Sequence, residues 1–210
     1  MTRRDTIMRP MKMGEQQVFE RVSKVFREKG YEGTSYADLI AATGLVKASL
    51  YHRFPGGKEQ IVEAMLSEVD REFSEYVLRP AWQQGPPRAR ARQIARRLEE
   101  FYGSGGIWCL LDTVTLSSNA RTVRHAGRSM EFWIESFARV ARDAGLPAKL
   151  ARGRAEDAVA AIEGALIVSR VTENRRPFLR TIGSLPTHLT KWAVNISRNI
   201  AGLDRAQRGK

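Results

Sequence analysis

Residues 30–59 read GYEGTSYADLIAATGLVKASLYHRFPGGKE, and the fold turns on how this stretch divides. Gly30 closes a preceding helix over 13–29, whose apolar stripe is Val18, Val22, Val25 and Phe26. Thr34-Ser35 offers hydroxyls that can cap the next helix by accepting an orphaned backbone N–H. A short helix follows over 36–42 with Leu39 and Ile40 inward, and Thr43-Gly44-Leu45 makes a tight turn in which Gly44 suits a left-handed backbone. A second short helix covers 47–53 before Pro55-Gly56-Gly57 breaks it.

Two short helices joined by a glycine turn and braced by a longer amphipathic helix spell a helix-turn-helix. In such a unit the second short helix enters the major groove of a duplex while the first crosses the backbone. Outward from this stretch the periodicity stays helical, with no convincing alternating strand. A long fourth helix begins near Lys58, with Val62, Met65, Val69, Phe73 and Tyr76 recurring every three or four residues and Pro80 ending or bending it. An arginine-rich helix is expected over 87–102, then a flexible Gly103-Ser104-Gly105-Gly106 joint, then helices over 107–118, 121–144 and 148–173. The last helix starts near Arg176, with Pro186 predicting a kink or local break inside it. The expected fold class is all-α: an N-terminal arm and three-helix helix-turn-helix domain over 1–58, a C-terminal helical domain over 59–202, and a polar tail over 203–210.

The charge agrees with a polyanionic partner. The 210 residues carry a net charge of +12, with +5 on residues 1–58 and +7 on the remainder, so basicity alone does not locate a binding face. The arm holds Arg3, Arg4, Arg9 and Lys12, which either enter a minor groove or stay solvated. One cysteine, Cys109, permits no intrachain disulfide. The N-terminus lacks the apolar stretch of a signal peptide, and no apolar run is long enough to span a bilayer. A cytoplasmic protein without membrane association is the expectation.

The matched positions Gly30, Tyr31, Thr34, Ser35, Asp38, Leu39, Ile40, Gly44, Lys47, Ser49, Leu50, Tyr51, His52, Phe54 and Lys58 resemble the N-terminal signature of the TetR family of transcriptional regulators. The resemblance is ungapped as far as Phe54. It implies a regulator, typically a repressor released from a palindromic operator by a small molecule, rather than an enzyme. Leu39, Ile40, Leu45, Leu50 and Phe54 have core spacing. Thr34 and Ser35 are expected to cap the first short helix, and the resemblance adds a DNA phosphate to Thr34. Lys47 can reach phosphate or a guanine edge, and Ala48 a thymine methyl. Ser49, Tyr51, His52 and Arg53 complete the reading surface, and Lys58, at the start of the fourth helix, is expected on a phosphate. Three departures stand out: Val46 where the family has a capping serine, Ala48 where it has glycine, and a Pro-Gly-Gly loop one residue longer than usual.

Resemblance returns in the AEDAVAAIEGALIVSRVTENRRPFLR stretch, residues 155–180, where the family pairs its last two helices with those of a second copy. Ala158, Ala161, Ala165 and Val168 form a small-residue stripe beside Val159, Ile162 and Leu166. The last helix offers Phe178, Ile182, Leu185, Leu189 and Trp192 at a 4-3 spacing. These are the expected homodimer residues, with an intrachain core as the alternative. Between the two ends the resemblance implies an effector cavity. Phe73, Tyr76, Phe101, Tyr102, Trp108, Cys109, Asp112, Thr113, Leu116, Met130, Trp133 and Phe137 are candidate lining residues or plain core. Glu163 either meets a ligand amine or sits ion-paired. The rows Arg88, Arg92, Arg96 and Arg121, Arg124, Arg128 either attract an anion or are solvated.

No catalytic pattern is legible. His52, His125 and His188 lack metal-ligand spacing, Gly-Gly-Lys-Glu at 56–59 lacks the ends of a P-loop, and the glycines at 103–106 follow no strand. No cofactor and no metal are expected.

Overall fold

The computed structural model describes residues 14–106, Cys109 and 120–191. Among these residues there is no strand. The chain forms α1 (Glu15–Gly33), α2 (Tyr36–Thr43), α3 (Lys47–Arg53), α4 (Gly57–Phe73), α5 (Pro87–Phe101), α6 (Ala120–Asp143), α7 (Ala148–Val171) and α8 (Arg176–Thr190). The expected helix over 107–118, the basic arm and the polar tail lie outside the described residues.

The chain divides into two compact units, Met1–Phe73 with Trp108–Ser129, and Ser74–Ile107 with Met130–Lys210. In the first unit α1 packs on α2 and α4, and α2 on α3. Val18, Val22 and Phe26 of α1 are fully buried, as are Leu39, Leu50, Ile61, Val62 and Met65 from the other three helices. Each such side chain contributes about 1.5–3 kcal/mol of apolar burial, which holds helices too short to persist alone. Gly30 has φ 71° and interrupts α1, and one further turn carries the chain to Gly33. α4 is tied to the first half of α6 by a polar row: Glu63 to Arg121 at 3.3 Å, and Asp70 Oδ2 to His125 Nε2 at 2.7 Å and to the Ser129 hydroxyl at 2.5 Å.

In the second unit α8 packs against both α5 and α7. Ser74–Leu78 forms a π-turn and Arg79–Trp82 a 3-10 turn, with Pro80 buried inside the latter. Regular α4 therefore ends seven residues before the proline rather than at it. Arg90, on α5, is buried and binds this turn. Its guanidinium donates to the carbonyls of Ala81 at 3.0 Å and Gln83 at 3.1 Å and pairs with Asp143 at 2.7 Å.

The expected flexible joint at 103–106 is instead a 3-10 turn, Gly103–Gly105. Gly105 has φ +88°, and a Cβ there would lie 3.0–3.2 Å from the Phe178 side chain, so only glycine lets the turn press on that ring. Pro186 likewise departs from expectation. α8 runs unbroken through it to Thr190, and the proline is buried against the unit rather than marking a break. Tertiary packing outweighs the hydrogen bond that the missing N–H removes.

Candidate nucleic-acid interface

The α2–α3 turn is held by local chemistry. Ser35 caps α2: its hydroxyl accepts from the Asp38 N–H at 3.2 Å, while the Asp38 carboxylate accepts from the Ser35 N–H at 2.9 Å. Lys29 pairs with the same carboxylate at 2.5 Å. Lys29 first, and then Ser35, hold the Asp38 carboxyl well below the usual carboxylate range. At the other end Gly44, with φ 68° and ψ 8°, adopts the left-handed cap expected of it, its N–H donating to Ile40.

α3 buries one residue and exposes the rest. Leu50 is fully buried, whereas Lys47, Ala48, Ser49, Tyr51, His52 and Arg53 all face solvent. Phe54 anchors the C-terminal end, with its ring centroid 6.3 Å from that of Phe19. His52 and Arg53 occupy the last turn, where positive charge complements the helix dipole. Val46 stands at the N-cap without a side-chain cap bond and is half exposed.

Two expected contact residues are placed otherwise. Thr34 is buried, and its hydroxyl donates to the Gly30 carbonyl at 2.7 Å, so it closes α1 rather than capping α2 or reaching a phosphate. Ser35 caps α2 as expected, with its hydroxyl in the capping box. Lys58 folds back on the protein: its ammonium donates to the carbonyls of Tyr31 at 2.9 Å and Thr34 at 3.2 Å and lies 4.3 Å from the centre of the Tyr31 ring. The carbonyls released where α1 ends attract this cation more closely than a solvated position would allow.

Tyr36 was not singled out in the sequence and proves central. Its ring stacks on Tyr51, centroids 5.0 Å apart and planes 14° from parallel, while the Lys47 ammonium lies 5.9 Å from the Tyr51 ring centre. Its hydroxyl accepts from the Lys58 N–H at 2.8 Å. Burial raises the Tyr36 hydroxyl above its ordinary value, against the opposing Lys58 N–H and with the neighbouring Tyr51 phenol reinforcing it. A capping serine followed by an aromatic is a weak signal, because nothing in it names a partner fifteen residues away.

In the remainder of the chain the candidates separate. Phe73 is buried in the first unit, and Trp133, Phe137 and Tyr102 are buried in the second, with Met130 and Phe101 half-buried. The Tyr102 ring meets Phe178 edge-on at 5.9 Å. Tyr76 is exposed with its hydroxyl bonded to Glu100, so it does not line an enclosed space. Trp108, Asp112, Thr113, Leu116 and Trp192 lie outside the described residues. Cys109 is buried.

The expected dimer seam needs correction. Ala158, Val159, Ile162, Ala165, Leu166, Phe178, Ile182, Leu185 and Leu189 are buried within a single chain, where α8 meets α5 and α7. Of the described set only Ala161 and Val168 face out. The outward face of α7 carries Ala160, Ala161, Gly164, Ile167, Val168 and Val171, the last three 47, 48 and 75 % exposed. α8 adds Leu179, Gly183 and Ser184, and a Cβ on Gly164 or Gly183 would meet nothing. A seam spacing shows that a helix packs on another helix, and not whether that helix belongs to the same chain.

No helix among the described residues is long and apolar enough to cross a membrane, and no group of three or more His, Cys, Asp or Glu side chains among them could hold a metal ion.

A buried-core triad of helices that presents a short, basic, outward-facing second helix after a glycine turn defines a helix-turn-helix DNA-binding protein. Comparison with known proteins specifies it further. The model of bacterial regulatory proteins of the tetR family matches residues 23–65, and that of the LmrA/YxaF-like transcriptional regulator C-terminal domain matches residues 87–183. The chain belongs to the TetR family and is a DNA-binding transcriptional regulator. It is 22 % identical over 183 residues to the HTH-type transcriptional regulator LmrA of Bacillus subtilis (strain 168), covering 84 % of this chain and 96 % of that one. It is 27 % identical over 173 residues to the HTH-type transcriptional repressor DhaR of Mycobacterium sp. (strain GP1), covering 77 % and 85 %. A TetR transcriptional regulator from Legionella pneumophila has the same fold, with a TM-score of 0.75 at 18 % identity over 87 % of this chain and all of that one. So does a cysteine mutant of the TetR-family regulator CifR, solved with 26-bp double-strand operator DNA, with a TM-score of 0.71 at 22 % identity over 88 % of this chain and all of that one.

Proposed function

We propose that the chain acts as a homodimeric repressor that holds a palindromic operator and is released by a small-molecule effector. Residues 1–58 serve as the reading domain, 59–202 as the effector and dimerisation domain, and 203–210 as a tail. The observation that carries this reading is α3, which buries Leu50 and turns Lys47, Ala48, Ser49, Tyr51, His52 and Arg53 outward. In this reading Lys47 and Arg53 meet phosphates, while Ala48 and Ser49 face base edges. Tyr51 and His52 offer a phenol and an imidazole to the backbone. One short helix gives little affinity by itself, so two copies joined through the apolar outward faces of α7 and α8 combine their contacts on two half-sites. The name of DhaR supports repression, and the operator complex of CifR supports the DNA partner. Trp133, Phe137, Met130 and Phe101 remain the aromatic and sulfur-bearing candidates for contact with an effector, which would act by favouring a dimer state with mismatched half-site spacing.

The test is fluorescence anisotropy with the DNA upstream of the chain's own gene, titrated with salt. The expected result is specific binding whose logarithm falls with log salt at about −0.9 per neutralised phosphate, with the slope reduced by about one such step in Lys47→Ala. An absence of binding to any palindromic site at low salt would remove this reading.

A further inference from the structure

The Tyr36 hydroxyl occupies a position that ties three helices together. Tyr36 is the first residue of α2. Its ring lies flat against Tyr51, on the exposed side of α3, and its oxygen accepts the Lys58 N–H in the first turn of α4. The pocket for that oxygen is tight: a Cβ on residue 57 would sit 2.4 Å from it, and Gly57 has φ +71°, a backbone state natural to glycine. The absence of a side chain at Gly57 therefore makes room for the phenol. Lys58 Nζ holds the end of α1 while the Lys58 N–H holds Tyr36, so the first turn of α4 is latched to both helices that precede α3.

We propose that Tyr36 is a positioning residue for DNA reading: through its hydroxyl it holds the start of α4, through its ring it holds Tyr51, and so it sets the orientation of α3 by the placement of α4. It acts through Tyr51 and Lys58. This deepens the operator-binding reading and rests on it for its consequence in DNA binding. The mechanical part can be measured without DNA.

The decisive variant is Tyr36→Phe, which keeps the ring and removes one oxygen. Amide hydrogen exchange in the full-length protein is expected to quicken about 3- to 10-fold at Lys58, the loss associated with one hydrogen bond, and to quicken at Leu50 to Phe54 of α3 as well. Operator affinity is expected to fall by a similar factor, and affinity for a scrambled duplex of equal length to change less than 2-fold, because misorientation affects base contacts more than phosphate contacts. A residue that only stabilised the fold would not move the ratio of operator to scrambled binding. If exchange quickens at Lys58 alone while α3 keeps its wild-type protection, the hydroxyl merely caps α4 and the proposal is overturned. Equal losses on operator and scrambled DNA would also overturn it, by making Tyr36 a direct backbone contact. Should the wild-type protein bind no operator, the repressor reading fails, and exchange at α3 still decides whether Tyr36 positions that helix.

Discussion

Lys58 sits with its ammonium 2.9 Å from the carbonyl of Tyr31 and 4.3 Å from the centre of the same residue's ring. It is thereby a structural clamp between the first turn of α4 and the end of α1. The position that family resemblance points toward DNA is spent on the protein itself.

Lys58→Ala should therefore lower stability by about 1–2 kcal/mol, because two carbonyls lose a charged donor and the ring loses its cation. Lys47→Ala, on the open side of α3, should leave the melting temperature within about a degree. Thermal unfolding of the two variants side by side checks this, and equal melting temperatures would return Lys58 to the surface.

Arg90 is a second clamp. Arg90→Met keeps the aliphatic stem but removes the bonds to Ala81, Gln83 and Asp143, leaving the buried Ala81 carbonyl without that donor. A loss of about 2–4 kcal/mol is expected from urea unfolding. Asp143→Asn should cost less, since Asp143 is half exposed and the two carbonyl bonds survive.

Asp38 carries a pH dependence. Its carboxyl titrates lower in the folded chain than in the unfolded one, owing to Lys29 and Ser35. Its contribution is therefore fully present above the unfolded value of about 3.9 and is lost as pH falls toward the depressed folded value. The difference in melting temperature between wild type and Asp38→Asn should be constant from pH 7 down to about pH 5 and shrink below about pH 4. A difference that vanished already at pH 6 would contradict the assignment. Ser35→Ala, which removes the hydroxyl half of the box, should cost about 1 kcal/mol.

The outward face of α7 and α8 gives the last prediction. Val168→Glu places a charge on an exposed position, so folding should be unharmed while the species seen by analytical ultracentrifugation falls to the 23.7 kDa chain. Operator affinity should fall about 10²-fold or more with the loss of the second half-site. A wild-type sedimentation profile in this variant would place the contact between copies elsewhere.

The described helices, the Gly44 turn, the Ser35 cap and the outward row of α3 were legible in the amino-acid order, because each arises from neighbours within about four residues. Spacing also showed that Phe178, Ile182, Leu185 and Leu189 pack on another helix. It could not show which one, since a partner on α5 or α7 and a partner on a second copy impose the same apolar stripe. Thr34 and Lys58 were misplaced for a related reason: a hydroxyl or an ammonium reads alike in sequence whether it meets a phosphate or a carbonyl.

The chain's order of residues thus determined the helical class, the reading motif and the resemblance to its family, all of which rest on short-range chemistry and periodicity. Tertiary structure alone decided that Lys58 and Thr34 close α1, that Tyr36 stacks on Tyr51, and that the seam of α8 is internal. These depend on contacts between residues far apart in the chain, and such contacts are chosen by packing and by competition among partners that local sequence does not encode.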